Sequence, residues 1–365
     1  MKVLFDTTTL YIGNKSGIYY YTINLLKELL KIKDLELKKV ALIREPKSDI
    51  ATQLKALLKA LKTVTMRQTL NLMYIPHPRL YAHIILQSAF ALLDVPVVTT
   101  VHDVHFLVTK QPFGYKLKLL PRYLGITSSS KVIQNIYFTT VSYFTKANLV
   151  NMLGVKESKV VVIYPGVDDI FFTDIEQETA YNFVREIYGI KKPYVLYVGP
   201  IHPDKGVLRL IDAFKLARKR GLNASLVIAG PLRMPRDAFL KRLRECDNSI
   251  YLGYVPRDHL PYLYRATNVF VFLSIHEGFG LPVIEAAACG CPLIVSDIPT
   301  FREILRNAAF FVNPHDTEMI SEALLLQDVI RPMGAIAKKR AEVFRWNKAA
   351  EKMVSYWRNI VEGIQ

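Results

Sequence analysis

The amino-acid sequence predicts an α/β protein in which two doubly wound domains face each other across a central cleft. Short apolar β-type runs alternate with helical patterns along most of the chain, and such alternation produces mostly parallel sheets flanked by helices. With 365 residues, of which 51% are hydrophobic, the chain is long enough to bury two cores of ordinary size.

One stretch combines strand, glycine turn, helix and strand within residues 269–296. Its first and last segments are apolar runs typical of buried strands. Between them, Glu277-Gly-Phe-Gly280 predicts a turn in which glycine permits positive φ and close approach by a ligand. Pro282 suits the first turn of the helix that follows. Since ligands of open α/β sheets bind beyond the carboxyl ends of strands, we expect a ligand at this turn.

Two carboxylates belong to this stretch, Glu277 in the turn and Glu285 in the helix. A carboxylate accepts hydrogen bonds from vicinal sugar hydroxyls, and the N–H groups and positive dipole at the helix start suit phosphate or sugar oxygens. On chemistry alone a structural alternative stays open. The loop could be an ordinary glycine-rich turn in which Glu285 only complements the helix dipole.

The full pattern, Glu277-Gly-Phe-Gly-Leu-Pro-x-x-Glu285-Ala-x-Ala-Cys-Gly-x-Pro292, resembles the donor-sugar signature of glycosyltransferase family 4. Members of this family are retaining enzymes with the GT-B fold, which consists of two Rossmann-like domains around a cleft. The resemblance implies that Glu277 holds the sugar and that Glu285 binds ribose or sugar hydroxyls. It also implies donor contacts along the turn, at Gly278, Phe279, Gly280 and Leu281.

The reaction implied by the resemblance is transfer of a hexose from a nucleotide-sugar to a hydroxyl of a glycan or lipid-linked acceptor in polysaccharide synthesis. Mannose is the favoured sugar, so GDP-mannose is expected as the donor in preference to a UDP-sugar. Two other classes stay open. One is a sugar-nucleotide epimerase of the same fold, against which the full signature argues. The other is a nucleic-acid-binding protein, which only the basic charge suggests.

The segment 1–168 is expected to form the first, acceptor-side domain. Strands are predicted at 2–5, 40–44, 96–101, 139–142 and 159–163, and helices at 18–33, 50–73 and 146–153. Gly17, in the turn before the first helix, is similar to the glycine loop with which family members cap the phosphate region of the donor. A simple helix start is the alternative.

His102 and Asp103 stand at the carboxyl end of the strand at 96–101. The family carries a matching pair, and the resemblance implies catalytic positions for both residues. The histidine would lie near the donor sugar, as a contact rather than a proven base, and the aspartate towards the acceptor. Apart from the resemblance, a histidine at a strand end is more often a structural hydrogen-bonding group.

The rest of the chain is expected to bind the nucleotide-sugar. Tyr164-Pro-Gly-Val-Asp168 matches the family's Pro-x-Gly-Val-Asp closure of the first domain. We expect a connector with one helix at 169–191, the second domain at 192–343, and at 344–365 a helix that crosses back to the first domain. Strands are predicted at 194–199, 224–229, 250–252, 269–273, 292–296 and 308–312, and helices at 207–219, at 282–289 and, capped by Asp258, up to 266.

Lys205 matches the family lysine that contacts the donor diphosphate, although a solvated surface lysine is the alternative. The family usually adds an arginine nearby, but Pro200 and Asp204 occupy the two positions where it occurs. We therefore expect Arg209 or Arg233 to substitute for this arginine.

Val255 lies where family members pair backbone groups with the nucleotide base.

No Asp-x-Asp occurs in the sequence, so a divalent metal is not needed to explain catalysis. No cofactor is expected besides the nucleotide-sugar co-substrate. The three cysteines indicate neither a disulfide framework nor a zinc site.

The net charge of +16 is unevenly distributed, because residues 1–170 contain 22 Lys and Arg against 11 Asp and Glu. A basic half implies an anionic partner, which could be a membrane surface, nucleic acid or a phosphorylated acceptor. The basic amphipathic segment 50–73 and the basic, aromatic segment 113–123 favour a membrane surface, although the leucines of the former could instead pack on the protein's own sheet. Because no apolar run reaches about 18 residues, we expect a cytoplasmic protein, peripheral on the inner face of the membrane.

Overall fold

The computed structural model describes residues 1–11, 16–41, 70–76, 95–104 and 135–363, and it divides into two compact units. The first unit comprises Met1–Gly166 together with Arg345–Gln365, and the second comprises Val167–Phe344. Each unit contains one six-stranded sheet, and the strand pairs in both sheets are parallel. These sheets confirm the predicted α/β class with two doubly wound units.

The sheet of the first unit has the order β2-β1-β3-β4-β5-β6. Its strands are β1 Lys2–Asp6, β2 Glu36–Val40, β3 Leu72–Ile75, β4 Val97–Val101, β5 Ile136–Thr140 and β6 Val160–Val162. The central strands β3, β4 and β5 are buried along their whole length. All five residues of β4 are β-branched, a composition typical of strands, which is why the sequence indicated β4 clearly.

The second strand was predicted at 40–44, but the strand found there, β2, begins at Glu36 and ends at Val40. Residues 42–44 of that prediction lie outside the described residues. β2 is an edge strand that pairs only with β1 in the order of the sheet. Polar residues such as Glu36 and Lys39 are exposed on it, so it shows no apolar run. Its position is set by backbone pairing with β1 rather than by hydrophobicity.

The helix predicted at 50–73 is wrong at its end, since Leu72 and Met73 belong to β3. A short apolar run does not distinguish a strand from a buried helix by periodicity alone. The part of that prediction at 50–69, and the segment 113–123, lie outside the described residues.

Two helices of the first unit are α1, Gly17–Leu29, and α2, Tyr143–Leu153. α1 ends four residues before the predicted residue 33, because the chain turns back through tight hydrogen bonds, such as Lys31 N to Glu28 O, to enter β2. α2 begins before the predicted residue 146, because the side chain of Ser142 caps it by accepting a hydrogen bond from Thr145 N.

The sheet of the second unit has the order β12-β11-β10-β7-β8-β9. Its strands are β7 Tyr194–Val198, β8 Ser225–Ala229, β9 Ser249–Gly253, β10 Val269–Phe272, β11 Leu293–Ser296 and β12 Phe310–Val312. Its helices are α3 Gln177–Tyr188, α4 Val207–Lys219, α5 Arg236–Arg244, α6 Leu260–Ala266, α7 Leu281–Ala288, α8 Pro299–Leu305, α9 Thr317–Leu325, α10 Gln327–Ile330 and α11 Met333–Ala341. The predicted cap at Asp258 is wrong, because Asp258 lies within a 3-10 turn, Arg257–His259, and His259 is the N-cap of α6.

The last helix, α12, Trp346–Glu362, packs in the first unit. Its buried residues recur at helical spacing and form one apolar face. The ring of Trp357 lies 5.0 Å from that of Tyr74 in β3, and the ring of Trp346 lies 5.6 Å from that of Tyr21 in α1. Within the described ranges, no helix combines the length and apolar composition needed to cross a bilayer.

Candidate active site

The winding direction of the second sheet reverses between two neighbouring strands, β7 and β10. From β7 the chain continues to β8 and β9 on one side, and from β10 to β11 and β12 on the other. In open α/β sheets such a reversal opens a crevice beyond the carboxyl ends of the two strands, and ligands bind there. The loops that follow β7 and β10 therefore form the candidate site.

These two loops are fixed to each other by backbone contacts. The N–H of Ile275 donates to the carbonyl of Asp204 at 3.0 Å. Gly206 has φ of +74° and packs so closely that an added Cβ would lie 2.2 Å from the carbonyl oxygen of Leu273. Only glycine fits this position, which lets α4 begin directly against the end of β10.

Lys205 and Glu277 form an ion pair between the two loops. Lys205 Nζ lies 2.7 Å from Glu277 Oε1, and the side chains are 27% and 14% exposed. The loop that carries Glu277 is held in turn by α8, because Thr300 Oγ1 donates to the carbonyl of Glu277 at 2.7 Å. A cation and a carboxylate are thus held side by side at the crevice.

The turn after Glu277 leads directly into α7. Gly280 is the N-cap with φ of +95°, and an added Cβ would lie 2.6 Å from the ring of Phe301. Gly280 has no side chain to cap α7, whose first residue is Leu281. Pro282 has no N–H, and Val283 N donates to the carbonyl of Gly280 at 3.0 Å, so the N–H of Leu281 is the one at this helix start that can face a ligand. Phe279 differs from the other predicted contacts, since its side chain is buried against Phe344, with ring centroids 5.4 Å apart. A donor contact at Phe279 can therefore involve only its backbone, as at Gly278.

Glu285, one turn into α7, is 4% exposed and is bonded to an arginine. Arg257 Nη2 donates to Glu285 Oε1 at 2.8 Å, and Arg257 Nε donates to Asp168 Oδ2, also at 2.8 Å. Sequence reasoning did not identify Arg257 and noted Asp168 only as the end of a motif. Arg257 lies 28 residues from Glu285 and 89 residues from Asp168 in the sequence. Because no local sequence pattern indicates pairing over such separations, Arg257 was not predicted.

The two arginines predicted as alternatives have different surroundings. Arg209 Nη2 donates to the carbonyl of Leu273 at 3.2 Å, so the guanidinium lies at the end of β10. Arg209 Nε is buried and has no hydrogen-bond partner among the described residues. Burial lowers the pKa of Arg209, and Asp204 opposes this effect. Arg233, in contrast, is exposed.

The predicted base-binding segment follows β9. Gly253 has φ of +67°, Tyr254 is 64% exposed, and Val255 is buried. Backbone groups next to an exposed aromatic side chain are compatible with a base, and the contact at Val255 stays a prediction.

The remaining predicted residues, Gly17, His102 and Asp103, belong to the first unit. His102 Nε2 lies 2.8 Å from the carbonyl of Pro76. A carbonyl only accepts, so Nε2 carries a proton, and in the neutral ring Nδ1 is the acceptor. Asp103 is exposed, and Gly17 is the exposed first residue of α1.

Among the described residues of both units, no group of three or more His, Cys, Asp or Glu side chains is arranged to hold a metal ion.

Two family models match the chain. Residues 50–170 match the model described as Glycosyltransferase Family 4, and residues 182–328 match the model described as Glycosyl transferases group 1.

Two curated relatives are mannosyltransferases. O-antigen chain mannosyltransferase B of Escherichia coli is 27% identical over 270 residues, which cover 72% of this chain and 70% of that protein. O-antigen chain mannosyltransferase RfbU of Salmonella typhimurium is 28% identical, with 71% and 68% covered. Among solved structures, Anabaena HepE in complex with UDP and glucose superposes with a TM-score of 0.74 at 17% identity, with 98% of this chain and 99% of that chain covered.

Proposed function

The chain is a glycosyltransferase of family 4 with the GT-B fold, and from this premise we propose that it transfers mannose, with retention of configuration, from a nucleotide-sugar to a hydroxyl acceptor. In this reaction the bond between the anomeric carbon and the diphosphate oxygen breaks. A bond from that carbon to the acceptor oxygen forms on the same face of the sugar, and the proton of the acceptor hydroxyl passes to the departing diphosphate.

One observation carries the proposal, which is the ion pair of Lys205 and Glu277 at the reversal point of the second sheet. The sugar and the diphosphate of a nucleotide-sugar are joined by a single bond. Groups that bind them must therefore lie next to each other, as this ammonium and this carboxylate do. Lys205 would bind the diphosphate, and Glu277 would accept hydrogen bonds from the sugar hydroxyls.

The leaving diphosphate gains negative charge as the glycosidic bond breaks. Lys205, Arg209 and the N–H of Leu281 at the start of α7, which follows Gly280, would stabilise that charge. Glu285 would accept hydrogen bonds from ribose or sugar hydroxyls. Because these protein groups supply positive charge, we propose that the reaction needs no divalent metal.

The names of the relatives support the choice of sugar, since both are O-antigen chain mannosyltransferases. We therefore propose GDP-mannose as the donor, with UDP-sugars as the alternative. For the acceptor we propose a glycan or lipid-linked saccharide. His102 and Asp103 would contact the substrates, and Gly17 would contact the phosphate region of the donor.

The test is a thermal-shift screen with GDP-, UDP- and ADP-sugars, followed by a transfer assay with the donor that stabilises the protein most. A ligand that binds only the folded state raises the melting temperature, and we expect GDP-mannose to give the largest shift. Glu277→Gln should strongly reduce transfer while the free protein stays folded.

A parallel incubation without acceptor separates the proposal from an epimerase. We expect slow hydrolysis or no reaction. Accumulation of an epimeric nucleotide-sugar would contradict the proposed function, and so would transfer at the wild-type rate by Glu277→Gln.

A further inference from the structure

A cluster of three charged side chains, Asp168, Arg257 and Glu285, joins segments that are distant in the sequence. Asp168 is the second residue of the second unit, Arg257 opens the 3-10 turn after β9, and Glu285 lies in α7. Arg257 Nη2 contacts both carboxylates, at 2.7 Å from Asp168 Oδ2 and 2.8 Å from Glu285 Oε1. Their side chains are 20%, 18% and 5% exposed for Arg257, Asp168 and Glu285.

Glu285 is the most buried member, and its charge depends on Arg257. An ionised carboxylate that loses its partner inside a protein is strongly disfavoured, and it responds by binding a proton. Burial raises the pKa of Glu285, and the positive charge and hydrogen bond of Arg257 oppose that effect. For Arg257 itself, burial lowers the pKa, but the charges of Glu285 and Asp168 outweigh burial and raise it above its ordinary value.

The other groups that face Glu285 do not replace Arg257. Asp168 contributes a second negative charge and raises the pKa of Glu285 further. The Tyr264 hydroxyl and the Cys289 thiol are buried next to Glu285, and burial raises the pKa of each well above its ordinary value, so both stay neutral. Arg257 thus supplies the positive charge in this cluster.

The observed bond with Arg257 uses only part of the acceptor capacity of the Glu285 carboxylate. Arg257 uses Oε1 of Glu285, and a carboxylate with two oxygens offers about four acceptor directions. A neutral carboxylic acid would instead carry a proton on one oxygen and donate it. Two vicinal hydroxyls that each donate a hydrogen bond are therefore bound more strongly by the ionised form.

We propose that Arg257 is a positioning residue for the donor, which keeps Glu285 ionised and oriented so that it can accept hydrogen bonds from the donor's hydroxyls. Arg257 acts through Glu285, and Asp168 holds the guanidinium in place. The inference rests on the proposed function, specifically on Glu285 as a contact of the nucleotide-sugar.

The experiment measures the affinity of the full chain for GDP-mannose and UDP-glucose by titration calorimetry between pH 6 and pH 9. The donor affinity of the wild type should depend on pH less than that of Arg257→Gln. In Arg257→Gln, the charge that most opposes burial is lost and only the hydrogen bond of Tyr264 still lowers the pKa of Glu285, so this pKa rises. Since each pH unit below a carboxyl pKa reduces its ionised fraction about tenfold, the affinity should fall most at pH 6 and recover as the pH increases.

Three further variants make the test specific. Glu285→Gln should bind the donor weakly at every pH, and adding Arg257→Gln to it should cause no further loss. Arg257→Lys keeps the charge but cannot bridge both carboxylates in the same way, so it should show a smaller pH dependence. Arg265→Gln is the matched control, because Arg265 donates to the carbonyl of Ile175 rather than to a carboxylate, and its donor affinity should not vary with pH.

The inference would be overturned if folded Arg257→Gln lost the same amount of donor affinity at every pH. It would also be overturned if Arg257→Gln bound the donor at pH 6 as tightly as the wild type does. If Arg257→Gln does not fold, the test is made with Arg257→Lys. An equal loss of donor affinity by Arg257→Lys at pH 6 and pH 9 would then overturn the inference. Wild-type donor affinity in Glu285→Gln would instead refute the proposed contact of Glu285. Glu277→Gln tests the proposed reaction separately from both.

Discussion

Lys205 Nζ and Glu277 Oε1 lie 2.7 Å apart, although 72 residues separate them in the sequence. The pair couples the loop after β7 to the loop after β10. We predict that Lys205→Met and Glu277→Gln each reduce kcat/KM by about 100-fold or more, because groups that stabilise charge in a transition state contribute this much. The double variant should lose less than the product of the single effects, since residues in contact are coupled.

A second ion pair in the same unit is the control for this prediction. Lys215 and Glu245 lie 3.5 Å apart, away from the crevice and more exposed. Lys215→Met and Glu245→Gln should leave kcat/KM unchanged. Independent, fully multiplicative effects of Lys205→Met and Glu277→Gln would show that the two groups do not act at one site.

Arg209 and Arg233 were equivalent candidates in the sequence, and the structure distinguishes them. Arg209 has a buried Nε without a hydrogen-bond partner in the described part of the chain, at the end of β10, whereas Arg233 is exposed. We predict that Arg209→Gln weakens binding of the donor about tenfold, because a charge-assisted hydrogen bond contributes roughly 1.5–3 kcal/mol. Arg233→Gln should bind the donor as the wild type does.

Comparison of GDP with GMP sharpens the test of Arg209. If Arg209 contacts the diphosphate, Arg209→Gln should reduce the affinity for GDP more than that for GMP. An equal reduction for both nucleotides would indicate a structural effect, and an effect confined to Arg233→Gln would reverse the assignment.

Local signals explain which parts of the fold could be predicted from the sequence. Both ends of α4 were predicted correctly, because Gly206 marks its start and a basic run followed by Gly221 marks its end. The strand, turn and helix around Glu277 were also predicted, since Gly280 and Pro282 define that turn. β2 was misplaced because an exposed edge strand has no apolar run, and Leu72 in β3 was assigned to a helix.

The site was predictable only where its residues form a continuous motif. Glu277, Glu285 and Lys205 stand in recognisable surroundings, so the sequence indicated them as candidates. Arg257 was missed because its partners are distant in the sequence. The burial of Phe279 against Phe344 was missed for the same reason. Residues that support a site through tertiary packing leave no local pattern.

The conformation of Gly280 leads to a prediction about stability. At φ of +95° an L-residue is strained, and a Cβ would lie 2.6 Å from the ring of Phe301. We predict that Gly280→Ala lowers the free energy of unfolding by about 1–3 kcal/mol, measured by urea denaturation, and reduces transfer. Gly189→Ala is the control, because Gly189 has φ of +66° and no atom within 4 Å of the added Cβ.

A contact between the added Cβ and the ring should be relieved by a smaller side chain at position 301. Gly280→Ala combined with Phe301→Leu should therefore lose less stability than the sum of the two single variants. If Gly280→Ala lowered the free energy of unfolding no more than Gly189→Ala does, the contact with Phe301 would be unimportant.

The proposed use of protein cations predicts that transfer does not require a divalent metal. Activity measured after dialysis against EDTA should equal the untreated activity, because Lys205 and Arg209 would neutralise the diphosphate. Loss of activity on chelation, with recovery on addition of Mg²⁺ or Mn²⁺, would contradict this prediction.

The basic charge of the first 170 residues predicts binding to an anionic membrane surface. This part of the chain contains 22 Lys and Arg against 11 Asp and Glu, and each basic residue near an anionic surface contributes about 1 kcal/mol. The protein should co-sediment with anionic but not with neutral vesicles, and salt should weaken binding. Changing Lys55, Lys59 and Lys62 to Glu should reduce it strongly.

The control for the membrane prediction changes the same number of charges elsewhere. Lys219, Lys241 and Lys339 are exposed lysines of the second unit, and their replacement by Glu alters the net charge equally. If binding depends on the basic segment at 50–73, this control should retain most of the co-sedimentation. Equal losses in the two triple variants would indicate attraction by net charge alone. A protein that stays in the supernatant with anionic vesicles at low salt would contradict membrane binding, and a soluble or polymeric acceptor would then be favoured over a lipid-linked one.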